Sequence, residues 1–166
     1  MSYQVRPLRI DDVPSVTEIY NIACRAREST EGTRPWSINE MRELLFESHP
    51  SLGSYTCVDK GAVIGWTAYI PFRVKEDADH TAEMALYVHE QFRRKGIGSD
   101  LARTLLNHAT ILDLHCVFAI VFKDMPSVVS FAERKCGFSV AGCLPEVFSH
   151  GGKHYDLLVL ERSIDG

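Results

Sequence analysis

The sequence predicts an α+β fold, a single domain in which a central mixed β-sheet is flanked by helices. Three observations predict it. Alternating, turn-linked segments fill the first half of the chain, strand and helix patterns alternate in the second half, and 166 residues suit one domain of the usual size.

Gln4 to Ile10 reads as an opening strand. Asp11-Asp12 then offers an N-cap before Val13, Val16, Ile19, Tyr20 and Ala23, whose helical spacing predicts an amphipathic first helix. Ala26 to Pro35 is polar and holds Gly32, so it reads as a loop, and Ser37 with Glu40 forms a capping box for a second helix running to about Ser48. Tyr55 to Val58 and Ala62 to Ile70 flank the turn Asp59-Lys60-Gly61, which signals a hairpin. After a loop from Pro71 to His80, the stretch Thr81 to Val88 alternates with period two. Met84, Leu86 and Val88 face one way and Glu83, Ala85 and Tyr87 the other. Ser99 to His108 has helical spacing and begins near Gly96 and Gly98. His115 to Phe122 reads as a strand, Ser127 to Lys135 as a helix, and Phe138 to Cys143 and Tyr155 to Leu160 as strands. Residues 1–166 are expected to form one domain without repeats or linkers.

Eighteen Lys and Arg against 22 Asp and Glu give a net charge of −4, with 45% hydrophobic and 24% charged residues. This composition disfavours a disordered chain and a polybasic nucleic-acid binder. There is no apolar run of about 20 residues and no apolar core after Met1, so a cytoplasmic protein with no membrane partner is expected. The five cysteines form no C-x-x-C pair and read as buried thiols in a reducing compartment. The seven histidines include no H-E-x-x-H, and His150 and His154 are separated by two glycines, so no metal is expected.

The most informative stretch runs from Tyr87 to Ser99. Glycines at 96 and 98 let several backbone N–H groups converge at a helix N-terminus, where the dipole favours an anion, and Arg93, Arg94 and Lys95 add positive charge. These residue types describe a phosphate or pyrophosphate site. The alternative is a glycine-capped turn beside a solvated basic cluster. The pattern is neither the dinucleotide fingerprint nor the P-loop.

Arg93 to Gly98, preceded by Tyr87-Val88, resembles the acetyl-coenzyme A signature Q/R-x-x-G-x-G/A of the GCN5-related N-acetyltransferase (GNAT) superfamily. Within it the chain is most similar to phosphinothricin and methionine-sulfoximine acetyltransferases and related amino-acid N-acetyltransferases. The matching pieces are Val5-Arg6-Pro7, Ile19-Tyr20-Asn21, Pro35-Trp36-Ser37, Val63-Ile64-Gly65, Pro71-Phe72-Arg73, Thr81-Ala82-Glu83, Tyr87-Val88, Gly96-Ile97-Gly98 and Gly137-Phe138, in family order across the chain. The resemblance implies a GNAT-like fold with acetyl-CoA as cosubstrate. The backbone of Leu86, Tyr87 and Val88 would pair with the pantetheine arm. The turn of Arg93, Arg94, Lys95, Gly96, Ile97, Gly98 and Ser99 would hold the pyrophosphate. Arg94 stands where relatives usually have Gly and would either crowd the turn or add a phosphate contact.

Acetyl transfer to an amine needs an unprotonated nitrogen, a polarised thioester carbonyl and a proton for the leaving thiolate. Glu83 is the candidate base, because it lies just before the strand segment expected to meet the thioester and matches the glutamate that family members are thought to use. Burial among apolar neighbours would raise its pKa, and the alternative is an exposed strand glutamate. A backbone N–H near Leu86 would hold the oxyanion. Counting back from Gly137-Phe138, Glu133 stands where relatives have Tyr or His, and Pro126 and Val129 stand where they have Asn and Ser. Asp124-Met125-Pro126-Ser127 looks like that motif displaced by two residues. Ser127 and Ser130 are then the helix's candidate cosubstrate contacts, or the thiolate leaves unassisted, since an ordinary thiol has a pKa near 8.5.

Arg73 matches a family position associated with a substrate carboxylate, which a guanidinium binds through two parallel hydrogen bonds, against the alternative of a surface arginine. Phe72 beside it, His80, Tyr155, Lys153 and Trp36 are further candidates for the acceptor pocket. Glu31 stands where the herbicide-acetylating enzymes carry an aromatic residue. Arg27 and Glu28 add charge, and Glu28, a further acceptor candidate, would with Glu31 suit a second cation, so the acceptor need not be phosphinothricin or methionine sulfoximine. The expected activity is acetyl-CoA-dependent N-acetylation of a small amino-acid-like amine by direct attack on the thioester, in a homodimer by resemblance. The rivals are a polyamine, peptide or drug acceptor, and a sensor that holds acetyl-CoA without turnover.

Overall fold

The computed structural model describes residues 2–47, 52–72 and 80–164. Strands β1 (Gln4–Pro7), β2 (Ser54–Asp59), β3 (Ala62–Pro71), β4 (Thr81–Val88), β5 (Cys116–Phe122), β6 (Ser139–His150) and β7 (Lys153–Ser163) form one sheet in the order β1-β2-β3-β4-β5-β7-β6. Only β4 and β5 run parallel; every other pair is antiparallel. Helices α1 (Val13–Arg25), α2 (Ile38–Arg42), α3 (Ile97–Asn107) and α4 (Pro126–Cys136) cover the sheet, which makes it the mixed α+β architecture that the alternating patterns predict.

The period-two alternation decides which residues meet which helices. On β3 and β4, Trp66, Ala68, Ala85 and Tyr87 pack with Val16, Ile19, Tyr20 and Met41 from α1 and α2. The residues of opposite parity, Tyr69, Ala82 and Met84, pack with Ala102, Leu105 and Leu106 of α3 and with Ala132 and Cys136 of α4. Gly65 allows α3 to come this close, because a Cβ there would lie 3.1 Å from Leu101 and 3.3 Å from the Tyr87 carbonyl oxygen. Glu83 shares parity with Ala85 and Tyr87, so it stands on the α1 side of the sheet.

The feature that positions the site is a split in this sheet. β4 pairs with β3 through seven residue pairs, from Gly65↔Val88 to Pro71↔Ala82. It pairs with β5 through only three, Thr81↔Cys116, Ala82↔Val117 and Glu83↔Phe118. Beyond Glu83 the two parallel strands part, while β5 stays paired to β7 as far as Phe122↔Leu157. The backbone edge of β4 from Met84 to Val88 therefore faces an open wedge, and unpaired backbone groups in such a place seek a partner.

Several boundaries differ from the sequence expectation. The opening strand stops at Pro7 instead of Ile10, because Ile10–Asp12 turns into a single 3-10 coil. Asp12 does not cap α1 with its side chain. It accepts two hydrogen bonds from the Arg6 guanidinium, at 2.7 and 2.9 Å, and one from the Arg9 backbone N–H at 2.8 Å. The Arg6 guanidinium beside it holds the Asp12 carboxyl below the usual range, so this link of β1 to α1 persists at neutral pH.

The capping box of Ser37 and Glu40 is present, but α2 is regular only to Arg42 and widens into a π turn over Glu43–Glu47. The expected end at Ser48 and most of the expected loop from Pro71 to His80 lie outside the described residues. α3 starts at Ile97, two residues before the expected Ser99, since Gly96 at φ 86° supplies the left-handed bend that admits the helix. The last two strands are longer than expected, because the sharp turn Gly151-Gly152 folds β6 and β7 into an extended hairpin. Among the thiols expected to be buried, Cys143 is exposed on β6 and Cys116 is half-buried.

Candidate active site

Two hollows open along the split, and they meet. The first is a cavity of about 190 Å³ within the split, whose wall includes Tyr20, Glu31, Trp36, Trp66 and Glu83 from the α1 side and Phe131 of α4. The second is a groove running from Leu86, Tyr87 and Val88 past Arg93, Arg94, Gly96, Gly98 and Ser99 to Ser127. Glu28, Leu86, Tyr87, Met125, Val128 and Phe131 line both, so a molecule lying in the groove reaches the cavity at the middle of β4.

The groove is built mainly from backbone. Arg94 at φ 62° and Gly96 at φ 86° curl the chain into the first turn of α3, which has no side-chain cap. The first intrahelical acceptor is the Gly96 carbonyl, bonded by the Asp100 N–H at 3.1 Å. The N–H groups of Ile97, Gly98 and Ser99 are thus the uncapped donors of a helix start, where an anion is favoured. Arg94 and Lys95 are exposed beside them. The left-handed backbone at Arg94 explains why a Gly is usual at that position, since a side chain there costs about 1 kcal/mol or more. Together with the open edge of β4, these features fit a long ligand with an anionic centre and an amide-bearing arm.

Arg93, expected at the phosphates, lines the groove, and its side chain is also engaged within the protein. Its Nε–H donates to the Val88 carbonyl oxygen at 3.1 Å, and its two terminal nitrogens form a fork on the Glu28 carboxylate at 2.8 and 3.1 Å. The side chain is occupied in holding the 26–36 loop to the end of β4. Glu28, expected at the acceptor, is spent on the same pair.

The 26–36 loop roofs the split. The Ser29 and Tyr87 hydroxyls are 3.1 Å apart, and the Thr30 hydroxyl donates to the Ile120 carbonyl oxygen at 3.3 Å, so the loop touches both parted strands. Its far end is fixed by Asn21, whose side chain accepts from the Trp36 N–H at 2.7 Å and donates to the Trp36 carbonyl at 2.9 Å. Trp36 is held against Tyr20, with ring centroids 5.0 Å apart, and lines the cavity as expected. Glu83 stands where β4 and β5 part. Burial, and secondarily the negative charge of Glu31, pushes its carboxyl up to about 7. Crowding by neighbouring atoms likewise raises the Glu31 carboxyl, although the residue as a whole is exposed.

Other expectations fall elsewhere. Ser130 does not reach the groove. Along α4, Ser127, Val128 and Phe131 line it, whereas Ser130 and Glu133 face a shallow hollow with Lys123 and Arg134. At 100° per residue, Ser130 is turned away from that face. Glu133, at the counted position of the usual Tyr or His, is therefore not beside the cavity. Phe131 is there instead, and it was missed. The displaced reading of Asp124 to Ser127 points to it, two residues before Glu133, and Phe131 carries no proton to donate.

His80 is not among the cavity residues; its Nδ1 lies 2.8 Å from the Asp113 carbonyl oxygen and 3.3 Å from the Asp113 carboxylate. Tyr155 packs against Phe122 and under the Arg27 guanidinium, 3.9 Å from its ring centroid, and does not line the cavity. Arg27 is paired with Asp124 at 3.0 Å. Lys153 is exposed at the hairpin end of β7. Phe72 packs edge-on against Phe118, the register partner of Glu83, and is exposed. Arg73 lies outside the described residues. Among the described residues no group of three His, Cys, Asp or Glu side chains is placed to hold a metal, and no helix is long and apolar enough to cross a membrane.

The acetyltransferase (GNAT) family model matches residues 16–138. The chain is 31% identical over 155 residues to YwnH of Bacillus subtilis (strain 168), assigned as a phosphinothricin acetyltransferase, covering 92% of this chain and 94% of that one. It is 26% identical to the L-methionine sulfoximine/L-methionine sulfone acetyltransferase of Pseudomonas aeruginosa, covering 99% and 96%. The crystal structure of a GNAT superfamily phosphinothricin acetyltransferase from Sinorhizobium meliloti in complex with acetyl-CoA matches with a TM-score of 0.88 at 25% identity, covering 99% of this chain and 89% of that one.

Proposed function

The chain belongs to the acetyltransferase (GNAT) family and is an acetyl-CoA-dependent N-acetyltransferase, and on that premise we propose that it acetylates the amine of a small amino-acid-like acceptor bound in the cavity beside Glu83. The observation that carries this reading is the parting of β4 and β5 immediately beyond Glu83, which brings an open strand edge, an anion-binding helix start and a base of raised pKa into one continuous cleft.

Acetyl-CoA supplies an activated thioester. The chain's own groups do the rest. The uncapped N–H groups of Ile97, Gly98 and Ser99, with Arg94, Lys95 and the Ser127 hydroxyl nearby, hold the phosphates. The edge of Leu86, Tyr87 and Val88 receives the arm by backbone hydrogen bonds, and an N–H near Leu86 faces the developing oxyanion. An amine enters the cavity protonated. Glu83, poised near neutrality, takes that proton directly or through a water, and the freed nitrogen attacks the carbonyl carbon. The C–N bond forms, the C–S bond breaks, coenzyme A leaves as thiolate, and the proton still carried by the acylated nitrogen passes to that thiolate or to water. Phe131 at the junction excludes water and donates nothing, which suits a leaving group stable enough to depart unprotonated. Arg73 pairs with the acceptor carboxylate. Residues 1–166 act as one cytoplasmic domain in a homodimer.

The test is coenzyme A release, read with a thiol reagent, across amino acids, methionine sulfoximine, phosphinothricin, polyamines and short peptides. Turnover of a carboxylate-bearing amine, reduced about 100- to 10,000-fold in Glu83→Gln, is the expected result. Tight acetyl-CoA binding without release on any acceptor would establish the sensor reading instead. Unchanged turnover in Glu83→Gln would remove Glu83 from the reaction.

A further inference from the structure

The cavity holds a second carboxyl that this reaction does not use. Glu31 is placed by the loop around it. Its backbone N–H donates to the Ser29 hydroxyl at 3.2 Å, Ser29 is bonded to Tyr87 on β4, and Thr30 is bonded to Ile120 on β5. The residue therefore lies over the split, and its charge is felt by Glu83. Among the described residues its carboxyl has no hydrogen-bond or ion-pair partner. Glu28, the other acid of the loop, is fully engaged by Arg93.

The rest of the wall also asks for a ligand. Tyr20, Trp36, Trp66 and Tyr87 bring four aromatic rings to the cavity, with Tyr20 next to both Trp36 and Tyr87, and Trp66 stacked on Tyr87. Trp66 is 1% exposed, yet its indole N–H has no hydrogen-bond partner among the described residues. A buried donor left unpaired costs about 1–3 kcal/mol, which is tolerated where a ligand completes the site. An unpaired carboxylate that shares a cavity with another carboxylate and with aromatic rings is complementary to a cation.

We propose that Glu31 is a specificity-determining residue that binds a second ammonium group on the acceptor, so that the preferred substrate is a diamino acid. This rests on the acceptor site proposed above. The amine facing Glu83 is the one acetylated; the other remains protonated against Glu31 and the aromatic walls. A neutral side chain leaves Glu31 unpaired, and an acceptor whose side chain is anionic, such as phosphinothricin, meets repulsion there.

The experiment compares 2,4-diaminobutyrate, ornithine and lysine with norvaline, norleucine, methionine and phosphinothricin, for wild type, Glu31→Gln and Glu31→Phe. Coenzyme A release gives kcat/KM, and calorimetry gives acceptor affinity without turnover. In the wild type the best diamino acid should exceed its monoamino isostere by about 10- to 100-fold, the worth of one charge-assisted hydrogen bond. Both variants should lose that ratio while still acetylating the monoamine. Equal use of ornithine and norleucine, or of 2,4-diaminobutyrate and norvaline, or a ratio unchanged in Glu31→Gln, would overturn the subsite and leave the N-acetyltransferase reading standing. Calorimetric preference for the diamino acid that Glu31→Gln abolishes, with no coenzyme A released, would support the subsite and overturn the proposed acceptor reaction.

Discussion

The two ends of the cleft are built by different means. The groove end is made mainly of one segment, Leu86 to Ser99, with Ser127 and Phe131 of α4 beside it, and its left-handed turns at Arg94 and Gly96 present a helix start suited to an anion. The cavity end is made of side chains drawn from α1, the 26–36 loop, β3, β4, β5 and α4, and it carries acidic and aromatic groups. A backbone site tolerates changes of side chain so long as φ is respected, whereas a side-chain site changes its ligand with a single residue. A constant cosubstrate suits the first kind, and an acceptor that varies between relatives suits the second.

Proton concentration separates the two ends most strongly. Glu83 must be a carboxylate to act as base, and its carboxyl is pushed up to about 7, so kcat/KM for the acceptor should fall about tenfold per pH unit below 7, or about 100-fold by pH 5. Acetyl-CoA affinity, measured by calorimetry over the same range, should change little. The effect on stability runs the other way. Because the folded state holds this proton more tightly than the unfolded chain, stability contributed at low pH is lost as pH rises from the ordinary carboxylate range through about 7. Glu83→Gln should therefore melt higher than wild type at pH 8 and match it at pH 4.

A change at the groove end should produce the opposite pattern. In Gly96→Ala the φ of 86° becomes strained by about 1–2 kcal/mol. KM for acetyl-CoA should rise about tenfold while KM for the acceptor stays within a factor of two. A matching rise in both would mean that the two ends are not separable.

The smallest effect is expected at Arg94. Arg94→Gly removes an exposed charge and relieves a φ of 62°. It should raise the melting temperature by about 2–4 °C and weaken acetyl-CoA binding a few-fold at low salt, the difference shrinking as salt is added. Unchanged stability would show that the turn is not strained at this residue.

How legible each end was in the sequence follows from the same contrast. The groove was readable because glycines, basic residues and the strand before them are neighbours in the chain. What those neighbours do not show is that Arg93 also pairs with Glu28 of the 26–36 loop. Glu83 was readable because a period-two strand assigns it to one face. Ser130 falls off the groove because linear spacing hides the angular position of a side chain on α4; the displaced register of Asp124 to Ser127 falls on Phe131, which the sequence reading did not name. His80 and Tyr155 were misplaced for a different reason. Their partners, Asp113 and Arg27, are far along the chain and leave no local pattern.

By itself the sequence determined the strands and helices, the mixed sheet, the capping box at Ser37 and the turn at Gly96, because each depends on residues within one or two turns of chain. Only the tertiary structure decided where β4 and β5 part, that Glu28 is consumed by Arg93 and that Glu31 shares a cavity with Glu83. Those facts depend on which distant segments close on one another, and closure is settled by burial and hydrogen bonding summed over the whole sheet.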